Sequence, residues 1–226
     1  MISRRPAYDA QSAAREPGSA AETGQDAIAA AAAATVPPGA SIGLSGGATI
    51  HMLAEHLVSV PGLTVVTNSL RVADILGRRS RPVERAAVIL IGGHRTGADL
   101  LGGPLTAAAL STIWLEVSFF DCAGIDAGSG ATTADITDAE ARRALARVSA
   151  RSVVLAEPGQ IGVRALSAFL EFGEVDTVIT AAPAGRPDEE QWAVLRNARG
   201  YIVADTEPSA SACASSTPAG GAVDPQ

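Results

Sequence analysis

The sequence contains no lysine, and all 17 of its basic side chains are arginine. Every mechanism that depends on a lysine is thereby excluded. Aromatic residues are scarce as well, 4% against 47% apolar residues overall. The core must therefore be built from Ala, Val, Leu and Ile, as in parallel sheets covered by helices rather than in a β-sandwich. Long hydrophobic runs are missing too. The longest, from Ala27 to Val36, is nearly all alanine and stops at Pro37-Pro38-Gly39, well short of the roughly 20 residues a membrane span requires. Behind Arg4 and Arg5 there is no leucine-rich stretch and no cleavage site of the secretory kind, so the expected location is the cytoplasm. Two cysteines, Cys122 in an apolar run and Cys213 in a Ser/Ala/Pro tail, make no disulfide framework and are expected to be free thiols. Finally, the chain lacks a basic excess. Its formal charge of -7 is opposite in sign to what displaces counterions from DNA phosphates, so this chain by itself is expected to bind DNA poorly.

A length of 226 residues suits one α/β domain with unstructured ends. Residues 1–22 mix Ala, Arg, Ser, Gly and Pro without a period of 2 or 3.6, and residues 206–226 form a low-complexity tail. Both read as disordered, leaving 23–205 as the domain. Thr23 and Asp26 stand at capping spacing before the alanine run, which predicts a helix over Gln25–Thr35. From Ser41 onward β-type and helix-type runs alternate, the mark of βαβ units and a mostly parallel sheet. Strands are expected at Ser41–Leu44, Leu63–Thr67, Ala87–Ile91, Val117–Ala123, Ser152–Ala156, Thr177–Thr180 and Tyr201–Val203. Helices are expected at Ile50–Val58, Leu70–Gly77, Leu105–Trp114, Asp138–Ala150 and Asp188–Asn197.

Four segments could carry chemistry. In the first, a strand ends in Ser45-Gly46-Gly47-Ala48-Thr49 and a helix begins at once. That arrangement turns backbone N–H groups and the helix dipole toward one point, which suits a phosphate. A plain tight turn reads the same way, and neither a Walker ending nor a dinucleotide fingerprint is present. In the second, a strand delivers Thr67, Asn68 and Ser69 to a helix start, either to cap the helix or to meet a ligand at the strand end. In the third, Gly92-Gly93 follows a strand and Gly102-Gly103-Pro104 precedes a helix, a connection able to fold over a ligand or simply to turn. The fourth gathers Asp121, Gly124, Asp126, Thr132 and Thr133 between a strand end and a helix that carries Arg142 and Arg143. Acids and hydroxyls suit sugar hydroxyls and an arginine fork suits phosphate. A solvated helix face with an Asp138/Arg142 pair is the other reading. His51, His56 and His94 complete no metal-ligand spacing, so neither a metal nor a cofactor is expected.

In their order along the chain these segments resemble the C-terminal effector domain of DeoR-family transcriptional regulators. The resemblance runs from about Asp26 to Asp205 and rests on IAAAAAATVPPGASIGLSGGAT, LTVVTNSL, LIGGHR, GGPL, FFDCAGIDAGSGATT, DAEARRAL, VVLAEPGQIG and VDTVIT. It implies a fold similar to ribose-5-phosphate isomerase, a phosphorylated sugar or related metabolite at the carboxyl ends of the strands, and homo-oligomers. It also implies control of sugar-catabolism genes, with DNA reached through an N-terminal helix-turn-helix. Residues 1–22 resemble only the linker that follows that head. Three places depart from the family pattern. Ser45-Gly46-Gly47-Ala48-Thr49 replaces Asp-x-Gly-Thr-Thr, Arg142 stands at a family lysine, and Gln160 stands at another.

Two other functions fit parts of this pattern. One is an aldose-ketose isomerase or amino-sugar-phosphate deaminase using Asp121 and Asp126, for which arginine is the sole available cation to stabilise an enediolate. The other is an oligomerisation partner that senses nothing, suggested by the changes at Ser45 and Gln160.

Overall fold

The computed structural model describes residues 20–79, 86–97, 99–182 and 189–206. The expectations for residues 1–19 and 207–226, Cys213 among them, lie outside the described residues. In chain order the elements are α1 (Ala20–Ala33), β1 (Ser41–Leu44), α2 (Ala48–Leu57), β2 (Thr64–Thr67), α3 (Leu70–Arg79), β3 (Ala87–Leu90), β4 (His94–Thr96), β5 (Leu100–Gly102) and α4 (Pro104–Leu110). They continue with β6 (Val117–Asp121), β7 (Gly124–Asp126), β8 (Gly130–Thr133), α5 (Ile136–Arg147), β9 (Ser152–Leu155), β10 (Ser167–Leu170), β11 (Thr177–Ala181), α6 (Glu189–Asn197) and β12 (Tyr201–Ala204).

Seven strands pair in the order β12-β11-β9-β6-β1-β2-β3, and every pairing is parallel. These are the seven strands the alternating pattern predicts, each within two residues at either end. Period-2 alternation sends Val117 and Phe119 to one face and Phe120 to the other. On the first face the sheet meets α1, α2 and α3 through Ile28, Ala32, Leu53, Leu57 and Leu76. On the second it meets α4, α5 and α6 through Leu110, Leu145 and Leu195. Helices on both faces explain why the central strands are apolar throughout rather than alternating with polar residues.

Several boundaries differ from expectation. Helix α1 begins at Ala20, so Thr23 lies inside it rather than at its cap, and residues 20–22 belong to the helix. Asp26 instead accepts from His56 Nε2 at 2.8 Å. Helix α4 ends at Leu110 instead of reaching Trp114; Trp114 is 84% exposed. Five short strands are not visible in the periodicity. β4 and β5 make an antiparallel hairpin, and β10-β8-β7 make a three-stranded antiparallel sheet. With three or four residues each, they are too short to display a period, and they exist through contacts distant in sequence.

Gly43 marks the tightest place in the sheet. A Cβ there would collide with Ser118 Oγ on β6 and press on Leu115 and Leu145 methyls at 3.0 Å. Ser118 Oγ is itself held at 2.6 Å from Ser149 Oγ. Gly43→Ala is therefore expected to cost about 1–3 kcal/mol of unfolding free energy in urea titration. A cost below about 0.5 kcal/mol would mean that the serine pair turns aside freely.

Candidate functional site

Strand β1 is flanked by β2 on one side and β6 on the other. The connection leaving β1 passes through α2 on the first face, and the one leaving β6 passes through α5 on the second. Connections that part to opposite faces open a crevice at the carboxyl ends of those two strands, where open α/β sheets take ligands. Ser45, Gly46 and Gly47 leave β1 at this point, and Asp121 ends β6 beside them. The N-cap of α2 is Gly47, with φ 129° and no side-chain cap. The first helical bond is His51 N–H to Gly47 O at 3.0 Å, so the amides of Ala48, Thr49 and Ile50 have no acceptor within the helix. A side chain at Gly47 would collide with the Asp121 carboxyl, and one at Gly46 with Leu100 of β5. Glycine at both positions lets groups from three elements close on the helix terminus.

Helix α5 supplies the cation. Asp135 caps it by accepting from Asp138 N at 2.9 Å, and one turn later Arg142 points back into the crevice. Arg142 Nε donates to Asp138 Oδ2 at 2.7 Å, and Thr133 Oγ1 donates to the same oxygen at 2.9 Å. The terminal nitrogens donate to Gly46 O at 3.2 Å, to Ser45 Oγ at 3.5 Å and to Asp121 O. The guanidinium carbon lies 5.3 Å from the centre of the Phe169 ring, a cation–π distance. Asp138 and Arg142 side chains are each 7% exposed. The solvated helix face considered for this pair is thus replaced by a buried ion pair, because α5 packs Arg142 beneath the strand ends. Four of the five N–H groups of an arginine go to protein acceptors here, so this cation binds the loop that leaves β1 to the end of β6.

Burial raises Asp121 from its ordinary carboxylate range to about 7, against the lowering pull of Arg142 and the Cys122 amide. Arg142 stays charged: burial disfavours its cation, but Asp138 and Asp121 outweigh that and raise its pKa. Burial, with Asp121 adding to it, also pushes the Cys122 thiol upward. Cys122 is free and buried.

One strand further out, Asn68 and Ser69 face the β4/β5 hairpin. Asn68 Nδ2 donates to Leu101 O at 2.8 Å. Ser69 Oγ donates to Asp99 Oδ2 at 3.1 Å and accepts from Val72 N at 3.2 Å, so it caps α3 and holds the hairpin together. Thr67 Oγ1 accepts from Ser69 N at 3.0 Å. Gly92 O accepts from Thr106 Oγ1 at 2.8 Å, and Gly93 packs against Gly102. The remaining candidates hold local structure. Asp126 accepts from Gly128 N, Ser129 N and Ser129 Oγ at 2.7–2.9 Å and from Arg164 at 3.0 Å. Its carboxylate closes the β7/β8 turn. Thr132 Oγ1 donates to Gly124 O and accepts from Ala165 N, both at 2.9 Å. Sequence reasoning missed Asp99, His51 and Phe169 as neighbours of the site. Nothing local marks them, since each arrives from a different element.

A cleft of about 620 Å³ lies at the opposite, amino-terminal edge of the sheet, lined among others by Arg147, Ser152, Glu174 and Arg199. Phe169 borders both this cleft and the Arg142 guanidinium of the switch-point crevice.

An open parallel α/β domain with a buried cation and an uncapped helix terminus at its switch point is the class of protein that this fold and site define. The family model of the DeoR C terminal sensor domain matches residues 21–182, and the chain belongs to that family. It is 30% identical over 193 residues to the uncharacterized HTH-type transcriptional regulator YgbI of Escherichia coli, covering 83% of this chain and 71% of that protein. With the lactose phosphotransferase system repressor of Staphylococcus epidermidis it shares 30% identity over 146 residues, 64% of this chain and 57% of that one. With the glycerol-3-phosphate regulon repressor of Escherichia coli it shares 27% over 162 residues, 70% of this chain and 62% of that one. The chain thus spans less than two thirds of the length of several curated relatives. Among solved structures, ribose 5-phosphate isomerase A of Methanocaldococcus jannaschii is similar at a TM-score of 0.44 and 11% identity, over 60% of this chain and 52% of that one.

Replacing Arg142 by Met leaves the Asp138 carboxylate buried with only a hydroxyl partner. The expected loss is about 3–5 kcal/mol of unfolding free energy, read by urea titration; a loss under about 1 kcal/mol would show that the pair is dispensable. Asp121 also makes stability depend on pH. Because its native pKa is raised from 3.8 to about 7, the native state holds the proton longer than the unfolded chain. Its contribution is therefore present at low pH and lost as pH rises through that interval. Asp121→Asn is expected to flatten the stability profile between those two values and to be more stable than the parent at pH 8 by about 2 kcal/mol. Parallel profiles for the two proteins would show that Asp121 titrates normally.

Proposed function

We propose that this chain is the effector-sensing part of a DeoR-type transcriptional regulator. It binds a phosphorylated sugar or related small metabolite at the carboxyl edge of the sheet and acts as a homo-oligomer in the cytoplasm. The observation that carries this reading is the crevice between β1 and β6, where the free amides at the start of α2 face the polar ends of two strands. Those amides and the helix dipole suit the phosphate. The carboxyl of Asp121 and the hydroxyls of Ser45 and Thr49 suit the ligand's hydroxyls. Arg142, at the position of a family lysine, holds the Gly46 loop open for the anion instead of supplying most of its hydrogen bonds.

Two relatives carry names that point the same way, one to a lactose phosphotransferase system and one to glycerol 3-phosphate. DNA is contacted through a helix-turn-helix outside the matched domain, and the metabolite shifts the population of the form competent for operator binding. Among the described residues no helix is long and apolar enough to cross a membrane.

An aldose-ketose isomerase is the second reading, favoured by one observation: a carboxyl raised to about 7 is tuned for proton transfer near neutral pH. Against it, the nearest cation has its N–H groups committed to protein oxygens.

Thermal-shift measurements over triose, pentose and hexose phosphates test both readings. A ligand present at 100 times its dissociation constant adds about 2.7 kcal/mol to stability, so at least one phosphate is expected to raise the Tm while its unphosphorylated sugar does not. Absence of any shift at millimolar concentration would overturn sensing. Turnover of ribose 5-phosphate by the purified protein, lost in Asp121→Asn, would make the enzyme the better reading.

A further inference from the structure

The hairpin made by β4 and β5 has no part in the sheet, yet it is tied to it at several points. Asp99, just before β5, holds most of them. Its Oδ2 accepts from Ser69 Oγ and lies within 3.1 Å of His51 Nε2, joining the hairpin to the starts of both α3 and α2. Its carbonyl accepts from Leu70 N at 2.8 Å, and the next residue but one, Leu101, donates N–H to Asn68 O at 2.9 Å. His51 lowers the Asp99 pKa, with Ser69 adding to the effect. Between these anchors Leu100 lies against Gly46, occupying the place where a side chain of that residue would begin. The ends of the hairpin connect through Gly92-Gly93 and Gly102-Gly103, with φ 96° at Gly103. The two glycine pairs give the backbone at both ends torsional freedom, and the absence of side chains at Gly93 and Gly103 admits Gly102 and the His94 ring at close range.

We infer that the hairpin is a gate over the glycine loop. Leu100 plugs the approach to Gly46, and the bonds of Asp99 to His51 and Ser69 latch it shut. The inference rests on the reading of the α2 terminus as an anion site. An anion that needs the loop amides binds the open form, so the latch lowers apparent affinity by the fraction of molecules that are closed. A carboxylate is fitted to this task. It takes two donors at once, one from α2 and one from the start of α3.

The test uses the full chain with Asp99→Ala and, as a second lesion on the other side of the contact, His51→Gln. Amide hydrogen exchange is followed at Leu70 and Leu101, with Val66 and Phe119 as references in the sheet. Binding of inorganic phosphate is measured in parallel by calorimetry. Both variants are expected to exchange at least about tenfold faster at Leu70 and Leu101, the loss of a charge-assisted bond to the latch, with Val66 and Phe119 unchanged. Phosphate is expected to bind several-fold more tightly than in the parent. If phosphate binds the parent but hairpin exchange is unchanged in both variants, the latch is refuted and the anion site stands. If exchange rises and phosphate binds more weakly, the hairpin completes the site rather than blocking it, and the gate is refuted. If phosphate binds none of the three proteins, the anion site itself is wrong, and the gate falls with it.

Discussion

The organisation of the carboxyl edge depends on one buried guanidinium. Arg142 joins Asp138 on its own helix to Gly46 O on the loop after β1 and to Asp121 O at the end of β6. An arginine is suited to this because its donors point along fixed directions in one plane, so it can bind acceptors from two strands and a helix together. Carbonyl oxygens leaving the ends of parallel strands have no ladder partner, and burying them without donors would be costly. The arginine supplies the donors, and Asp138 supplies the charge that makes burying the arginine tolerable.

The surroundings of this cation explain the chemistry of its neighbours. Asp121, half-buried beside it, gives Arg142 its backbone oxygen, so its carboxyl has no direct partner on the guanidinium and desolvation raises its pKa to about 7. Asp138 meets the guanidinium head on and also accepts from Thr133. Two carboxyls within reach of one cation therefore have different roles, set by which of their atoms face it. A lysine could not take this place, since a single ammonium has neither the planar fork nor the number of donors to join so many acceptors.

Outside this centre the fold assigns its polar groups by distance from the switch point. Ser45, Asp121 and Arg142 meet between β1 and β6; Asn68 and Ser69, one strand over, hold the hairpin; Asp126 and Thr132 brace the small antiparallel sheet. Residue types that looked equivalent in sequence do separate jobs, because neighbouring strand exits are several ångströms apart and a hydrogen bond reaches about 3 Å.

The seven parallel strands and six helices were legible from the chain alone, because both depend on local periodicity and on glycine, proline and capping residues that act within a few positions. The glycine exit at 45–47 was legible for the same reason: a strand, two glycines and a helix start are consecutive. Other features required the tertiary structure. No pattern places Asp99 beside His51, separated by 48 positions, or Arg142 beneath Gly46, separated by 96. Such contacts follow from strand order, and strand order is fixed by how helices pack on the two faces of the sheet rather than by any local preference of the residues that meet.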